Sequence, residues 1–353
     1  MVFTAAPDVF GNGVAELLRE LGGIVLPWEQ ATELTFDLAL AAGYAELHRL
    51  SAPVVVLPHG ASHNKLAVRP GLSAAPALRG VYGLDPQTLV RGGRVVPAAL
   101  VLSHRRDLEI LGRQCPAALP AAAVLGDPCY DQLLVSRSLR PQYRRALKVG
   151  RRTTLVVTAS TWGTRSLFGQ PEVLHDRLLA ELPPDRYRVV SLMHPNVWYG
   201  HGDRQVRAWL GSAMRRGLAL VPPRSEWLGA LIAADIVVGD HGSTSVYAAA
   251  GGVPVLWAGD GDQDLAPGSA AALLARSSPR LSPDDPVGPQ LMAALRRHAP
   301  ALSRAVAARV TSEPGQFDRN LRRLVYSQLG LTQPATVPVT PPAALPGLVW
   351  RGR

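Results

Sequence analysis

The sequence predicts two doubly wound, mostly parallel α/β domains in tandem, and three observations carry that prediction. The chain has 353 residues, more than one hydrophobic core usually organises, so two domains are expected. Its strand candidates are apolar throughout instead of alternating, as in Val54-Val55-Val56 and Ile236-Val237-Val238. Such strands are covered on both faces and belong to parallel sheets. Helical stretches separate them, which is the βαβ pattern.

In the first half the pattern predicts strands over 2–5, 23–26, 36–41, 53–57, 98–102 and 121–125, and helices over 13–21 and 44–50. A Gly- and Pro-bearing insert spans 61–96. Residues 131–150 read as a basic helical segment ending at Gly150, where we place the domain boundary, giving domains 1–150 and 151–331. The second half predicts strands over 154–158, 187–193, 218–221, 236–238 and 254–257. Helices are expected over 171–182, 204–215 and 226–233. Closing helices follow over 289–310, broken before Pro300, and over 316–329. Residues 332–353 are rich in Pro, Val and Ala without an amphipathic period and are expected to form a disordered tail.

Composition narrows the function. No apolar run approaches the roughly 18 residues that mark a membrane span, and no charged-then-apolar leader opens the chain. Two cysteines, Cys115 and Cys129, make neither a disulfide framework nor a zinc site, so a reducing cytoplasm is expected. The formal charge is +10, yet it is almost all Arg, the only lysines being Lys65 and Lys148. The densest cluster (Arg137, Arg140, Arg144, Arg145, Lys148, Arg151, Arg152) has no aromatic residues interleaved for stacking. It reads as a solvated helix and linker, not a nucleic-acid groove. Attraction to an anionic membrane surface or polyanionic acceptor stays open.

Doubly wound domains take ligands at the carboxyl ends of their strands, here in an expected cleft between the domains. Unusual residues recur at those ends. Strand 236–238 runs into Gly239-Asp240-His241-Gly242-Ser243-Thr244-Ser245, a tight turn opening an Ala-rich helix. Bare N–H groups, hydroxyls and the helix dipole make it an anion site. Strand 53–57 ends in Pro58-His59-Gly60, with His63, Asn64 and Lys65 following. An imidazole there suits a general base, in preference to a helix cap. His194-Pro195 ends strand 187–193, where a binding role and a purely structural one are equally open. Ser160-Thr161-Trp162 ends strand 154–158; its hydroxyls and N–H groups face a diphosphate from the other side, and Trp162 is expected to pack as a lid. His201-Gly202 reads as a helix start with Asp203 as cap. The loop Asp260-Gly261-Asp262-Gln263 lacks the Glu of a calcium loop; it reads as solvated, with ribose contacts through Asp262 and Gln263 as the functional alternative. P-loop, complete dinucleotide (Gly11-Asn12-Gly13 lacks its third Gly) and G-x-S-x-G motifs are absent.

In this order the residues resemble a GT-B transferase, most of all the CDP-glycerol glycerophosphotransferase family, over roughly residues 36–260. The similarity rests on Pro58-His59-Gly60 with Lys65, on His194-Pro195, and on Asp240-His241-Gly242-Ser243-Thr244 followed by Gly252-Val253-Pro254-Val255-Leu256. The resemblance implies two Rossmann-like domains facing a cleft, the first handling the acceptor and opening without its own first strand, the second holding the donor. It implies a transferase without cofactor or metal that moves a glycosyl or glycerophosphoryl group from a nucleotide-diphosphate donor to a hydroxyl acceptor. Such work belongs to cell-envelope polymer or glycoconjugate synthesis, in the cytoplasm or at the inner face of the membrane, with a membrane-associated acceptor. It implies His59 as base, His194 near the phosphates, and Ser243 and Thr244 on the diphosphate, beside Asp240, His241, Gly242, Ser160 and Thr161; Lys65, Asp262 and Gln263 are further substrate candidates. Two departures stand out. His241-Gly242 replaces the family's Tyr-Ser, and Leu192-Met193 stand where an Arg is usual. They keep open a sugar-nucleotide epimerase of the UDP-GlcNAc 2-epimerase kind, or a nucleotide-binding module without turnover.

Overall fold

Five parallel strands form the larger sheet, in the order Ala219–Val221, Tyr187–Met193, Thr154–Ser160, Ile236–Gly239, Val255–Trp257. Numbered along the chain this is 3-2-1-4-5, a doubly wound arrangement whose order reverses between Thr154–Ser160 and Ile236–Gly239. Full burial of Val156, Val157, Ile236, Val237 and Val238 explains the absence of alternation: both faces of the sheet are covered. On one face Val156, Val189, Ile236, Val238 and Leu256 pack in one cluster with Leu174 and Leu178 of helix Pro171–Glu181, Val206 of Asp203–Trp209, and Leu291 of Val287–Arg297. Gly239 faces the other way, toward helix Ser243–Ala250, where a Cβ would lie 2.2 Å from Ser245 Oγ.

The computed structural model describes residues 1–7, 14–61, 63–67, 79–169 and 171–349. The Gly11–Gly13 stretch, including the expected start of the first helix, and residues 68–78 of the insert lie outside them. Contacts divide the chain into two compact units, Met1–Pro128 with Thr311–Val339, and Cys129–Val310 with Thr340–Arg353. The five-stranded sheet belongs to the second unit. The first holds a four-stranded parallel sheet in the order Ala39–Ala41, Val54–Val56, Ala99–Leu102, Ala122–Val124, and a separate parallel pair of Val2–Thr4 with Ile24–Leu26.

Three expectations about organisation change. The boundary falls at Pro128, because the basic segment is not one helix to Gly150. It consists of Pro128–Ser136 and Arg140–Ala146 joined by a 3₁₀ turn, and Arg140–Ala146 packs on Trp227–Ala233 of the second unit. The closing helix Phe317–Gln328 returns to the first unit, where Phe317 joins Val55, Ala99, Val101 and Leu125 in one core. Asn320 donates to Leu125 O (3.1 Å), and Arg105 pairs with Glu313 (2.7 Å). The Pro-rich tail is held in place. Val349 pairs with Leu220 on the edge strand, Ala343 N donates to Ser136 Oγ (2.8 Å), and Tyr143 donates to Ala343 O (2.8 Å). Smaller differences follow local geometry. The expected helix over 204–215 breaks at Leu210 into two short ones. The stretch 44–50 forms only a 3₁₀ turn, Leu47–Arg49.

Candidate active site

In the second unit three neighbouring strands end side by side, carrying His194, Ser160-Thr161 and the Asp240–Thr244 turn. The reversal of strand order lies between the last two, the usual ligand position of a doubly wound sheet. At its centre is Asp240, fully buried. Its carboxylate accepts from the N–H groups of Thr161 (2.9 Å), Leu167 (2.8 Å) and Gly242 (2.9 Å), and from Ser160 Oγ (3.3 Å). Bonds accepted by a carboxylate are charge-assisted and are the strong ones. They tie the loop after Ser160 to the turn before Ser243. Gly242 is closely packed: a Cβ would stand 3.1 Å from Asp240 Oδ1 and 3.2 Å from Thr161 Cβ, so those neighbours would have to give by a few tenths of an ångström.

This geometry divides the predicted diphosphate-binding residues into two groups. Asp240, Ser160, Thr161 and His241 turn inward, contrary to the expectation that they hold phosphate. Ser160 Oγ accepts from Phe168 N (2.8 Å), and its single proton is shared between Thr161 O (2.9 Å) and Asp240 Oδ2 (3.3 Å). Thr161 is buried, with its N–H on Asp240. His241 is buried against Gly261, where a Cβ would fall 2.0 Å from Nδ1. Ser243 and Thr244 form the other group: both remain partly exposed in the first turn of a helix that no side chain caps. Backbone donors at such an end are the part of the turn suited to an anion.

His194 caps the helix Pro195–His201, its Nδ1 accepting from Asn196 N–H at 3.1 Å. An accepting Nδ1 in a neutral imidazole places the proton on Nε2, so the ring presents a donor on its far side. Trp162 lies beside it, ring centroids 6.4 Å apart, and is 44% exposed. Asp262 is not a free ribose acceptor: Trp257 Nε1 donates to it at 3.0 Å and Arg280 pairs with it. Gln263 is exposed on the same loop. Asp203 is not a cap; it is the first residue of its helix, after Gly202.

In the first unit His59 is exposed on the turn after Val54–Val56, next to Gly60 at φ +73°. Lys65, partly buried, accepts through its backbone O from Tyr82 N (2.9 Å). Beneath this loop lies a cluster that sequence reading passed over. His63 Nδ1 is 3.4 Å from Asp107 Oδ2, their side chains 5% and 9% exposed, within ion-pair reach though not aligned as a hydrogen bond. Tyr44 joins them, donating to Gly83 O (3.4 Å). Burial first, then Tyr82, Asp85 and Asp107, push its phenol well above the ordinary range. Tyr44, His63 and Asp107 each follow a different strand of the sheet, so only the fold brings them together. Among the described residues no group of three or more His, Cys, Asp or Glu side chains is placed to hold a metal ion, and no helix is long and apolar enough to cross a membrane.

A doubly wound second unit, a first unit built on a parallel sheet whose strands run in chain order, and a helix returning from the end of the chain to the first unit fit the GT-B fold, and comparison with solved structures agrees. The chain is similar to a histidine-to-asparagine variant of the wall teichoic acid polymerase TagF (12% identity, TM-score 0.58, covering 93% of this chain and 88% of that one). It is similar to TagF itself (14%, 0.57, 87% and 78%), and to Anabaena Alr3699/HepE in complex with UDP-glucose (14%, 0.50, 90% and 88%). No protein-family model matches the sequence, and no curated protein matches it.

Proposed function

We propose that this protein is a GT-B transferase moving a glycosyl or glycerophosphoryl group from a nucleotide-diphosphate donor to a hydroxyl acceptor. The observation that carries the reading is the Asp240-braced turn at the strand-order reversal, which holds an uncapped helix N-terminus at the same sheet edge on which His194 ends its strand. In this reading the first-turn N–H groups and the hydroxyls of Ser243 and Thr244 receive the donor's diphosphate. His194 donates to it as charge develops on the leaving group, without need of a metal. In the same reading the exposed ring of Trp162 stacks on the nucleobase. His59, in the first unit, takes the proton from the acceptor hydroxyl as it attacks, and Lys65 on the same loop contacts the substrate.

Solved structures of similar fold support a nucleotide-linked donor: one is a polymerase of wall teichoic acid and another is a complex with UDP-glucose. The acceptor class these suggest is an envelope polymer or glycoconjugate precursor, met in the cytoplasm or at the inner membrane face. The test is a melting-temperature screen against CDP-glycerol, UDP-GlcNAc, GDP-mannose, CMP and UMP, followed by transfer assays with the donor that binds. One nucleotide is expected to raise Tm, and His59→Ala to abolish transfer while leaving that shift intact. Absence of any shift refutes the donor reading, and full turnover by His59→Ala refutes the assigned base.

A further inference from the structure

The far end of the second unit's sheet holds a cavity of about 350 Å³. It lies at the amino ends of the strands Ile236–Gly239 and Val255–Trp257, between Asp235 and Pro254, and so opposite the strand ends that carry the candidate donor site. Leu133, Leu231, Tyr247, Val253 and Pro254 give it apolar walls, and Arg137 and Arg140 line it as well. The volume lies within the range of small-molecule sites. At about 30 Å³ for a group the size of a water molecule, it holds roughly ten to twelve heavy atoms.

The charges around it favour an anion. Asp235, the one acid among its lining residues, is already matched: it accepts from Arg140 (2.6 Å), Arg144 (2.9 Å) and Leu155 N (2.7 Å). Each guanidinium has five N–H donors. Among the described residues Arg140 makes three bonds, to Ile232 O (3.1 Å), Ala234 O (3.2 Å) and Asp235. Arg137, exposed, makes one, to Ala250 O (3.2 Å). Donors therefore remain on both arginines beside a half-open chamber whose lining is part apolar and part polar. The remaining charges of the basic stretch, Arg145, Lys148, Arg151 and Arg152, are exposed and add to the positive field on that stretch.

We propose that this cavity binds a monomeric anionic amphiphile, with a phosphate or carboxylate head on Arg137 and Arg140 and an alkyl chain of roughly ten carbons along Leu133, Tyr247 and Val253. The proposal assigns a role to the basic cluster that the transferase reading leaves unused, and it does not depend on that reading.

Calorimetric titration of the full chain with decyl phosphate, below the concentration at which it forms micelles, tests it. Saturable binding at one site is expected, weakened about tenfold or more by Arg137→Ala, since a hydrogen bond to a charged group is at stake. Val253→Trp, which fills the chamber, should abolish binding. Inorganic phosphate lacks the chain and decyl maltoside lacks the charge, so neither should saturate the site. Because Arg137 is exposed, Arg137→Ala is expected to melt with the wild type, which keeps the test valid even if Val253→Trp folds poorly. The proposal is overturned if decyl phosphate does not saturate, if either control binds as tightly, or if a folded Arg137→Ala binds it with unchanged affinity.

Discussion

Asp240→Asn isolates what holds the candidate donor turn in place. The substitution keeps size and shape but exchanges one acceptor oxygen for an NH₂ group. Oδ1 faces Gly242 N–H and Thr161 N–H; Oδ2 faces Leu167 N–H, Thr161 N–H and Ser160 Oγ. Whichever way the amide turns, a donor meets a donor, against Gly242 in one orientation and Leu167 in the other. One charge-assisted bond is lost, at about 1.5–3 kcal/mol, and one buried N–H is orphaned, at about 1–3 kcal/mol. Relief from burying the carboxylate offsets part of this, but the partners stay behind, so loss dominates. The net expectation is roughly 2–5 kcal/mol, a fall in Tm on the order of 10 °C for a unit of this size. Amide exchange read by mass spectrometry should rise in peptides covering Leu167 and Gly242 before it rises in Thr154–Ser160. If Asp240→Asn melts within about 2 °C of the wild type with those peptides equally protected, Asp240 is not the brace described above.

Three further predictions use the same geometry. Asn is as good a helix cap as any residue, so His194→Asn should melt like the wild type while weakening nucleotide binding; His194→Ala should in addition lose about 1 kcal/mol of stability in urea unfolding. Gly261→Ala drives a methyl into the His241 ring and should cost roughly 1–3 kcal/mol, most of it recovered in a His241→Ala background, as a double-mutant cycle would show. The raised phenol of Tyr44 keeps its proton in the folded state after the unfolded chain has lost it. Its contribution is therefore full below about pH 10 and lost as pH rises further. Tyr44→Phe should flatten the alkaline fall in stability, measured by urea titration from pH 9 to 11.

Much of this was legible in the residues themselves. Strand Tyr187–Met193 coincides with its expected span, and Pro171–Glu181 and Phe317–Gln328 end within a residue or so of theirs. Hydrophobic runs, Pro and Gly act within a few neighbours, so local sequence carries them. The placing of His59, His194 and Ser243 at strand ends was legible for the same reason: each immediately follows a run that only a buried strand explains. Helix Arg105–Gln114 was missed because Arg105, Arg106, Asp107, Glu109 and Arg113 dominate its composition, and its few apolar positions, among them Ile110 and Leu111, do not stand out.

Which strand ends meet, and what their side chains then face, was decided in three dimensions. Asp240 looks like a ligand contact in the sequence because its donors, at Thr161 and Leu167, are more than 70 residues away. Pairing of Thr154–Ser160 with Ile236–Gly239 brings them within bonding distance and turns the carboxylate inward. The same holds for His63 beside Asp107, for Phe317–Gln328 on the first unit's sheet, and for a Pro-rich tail with no amphipathic period that becomes ordered by pairing with Leu220. A parallel sheet joins segments distant along the chain. The chain alone therefore determined the strands, the covered faces and the chemistry at the strand ends. The strand order determined which polar groups are consumed in holding the turn and which stay available to a ligand.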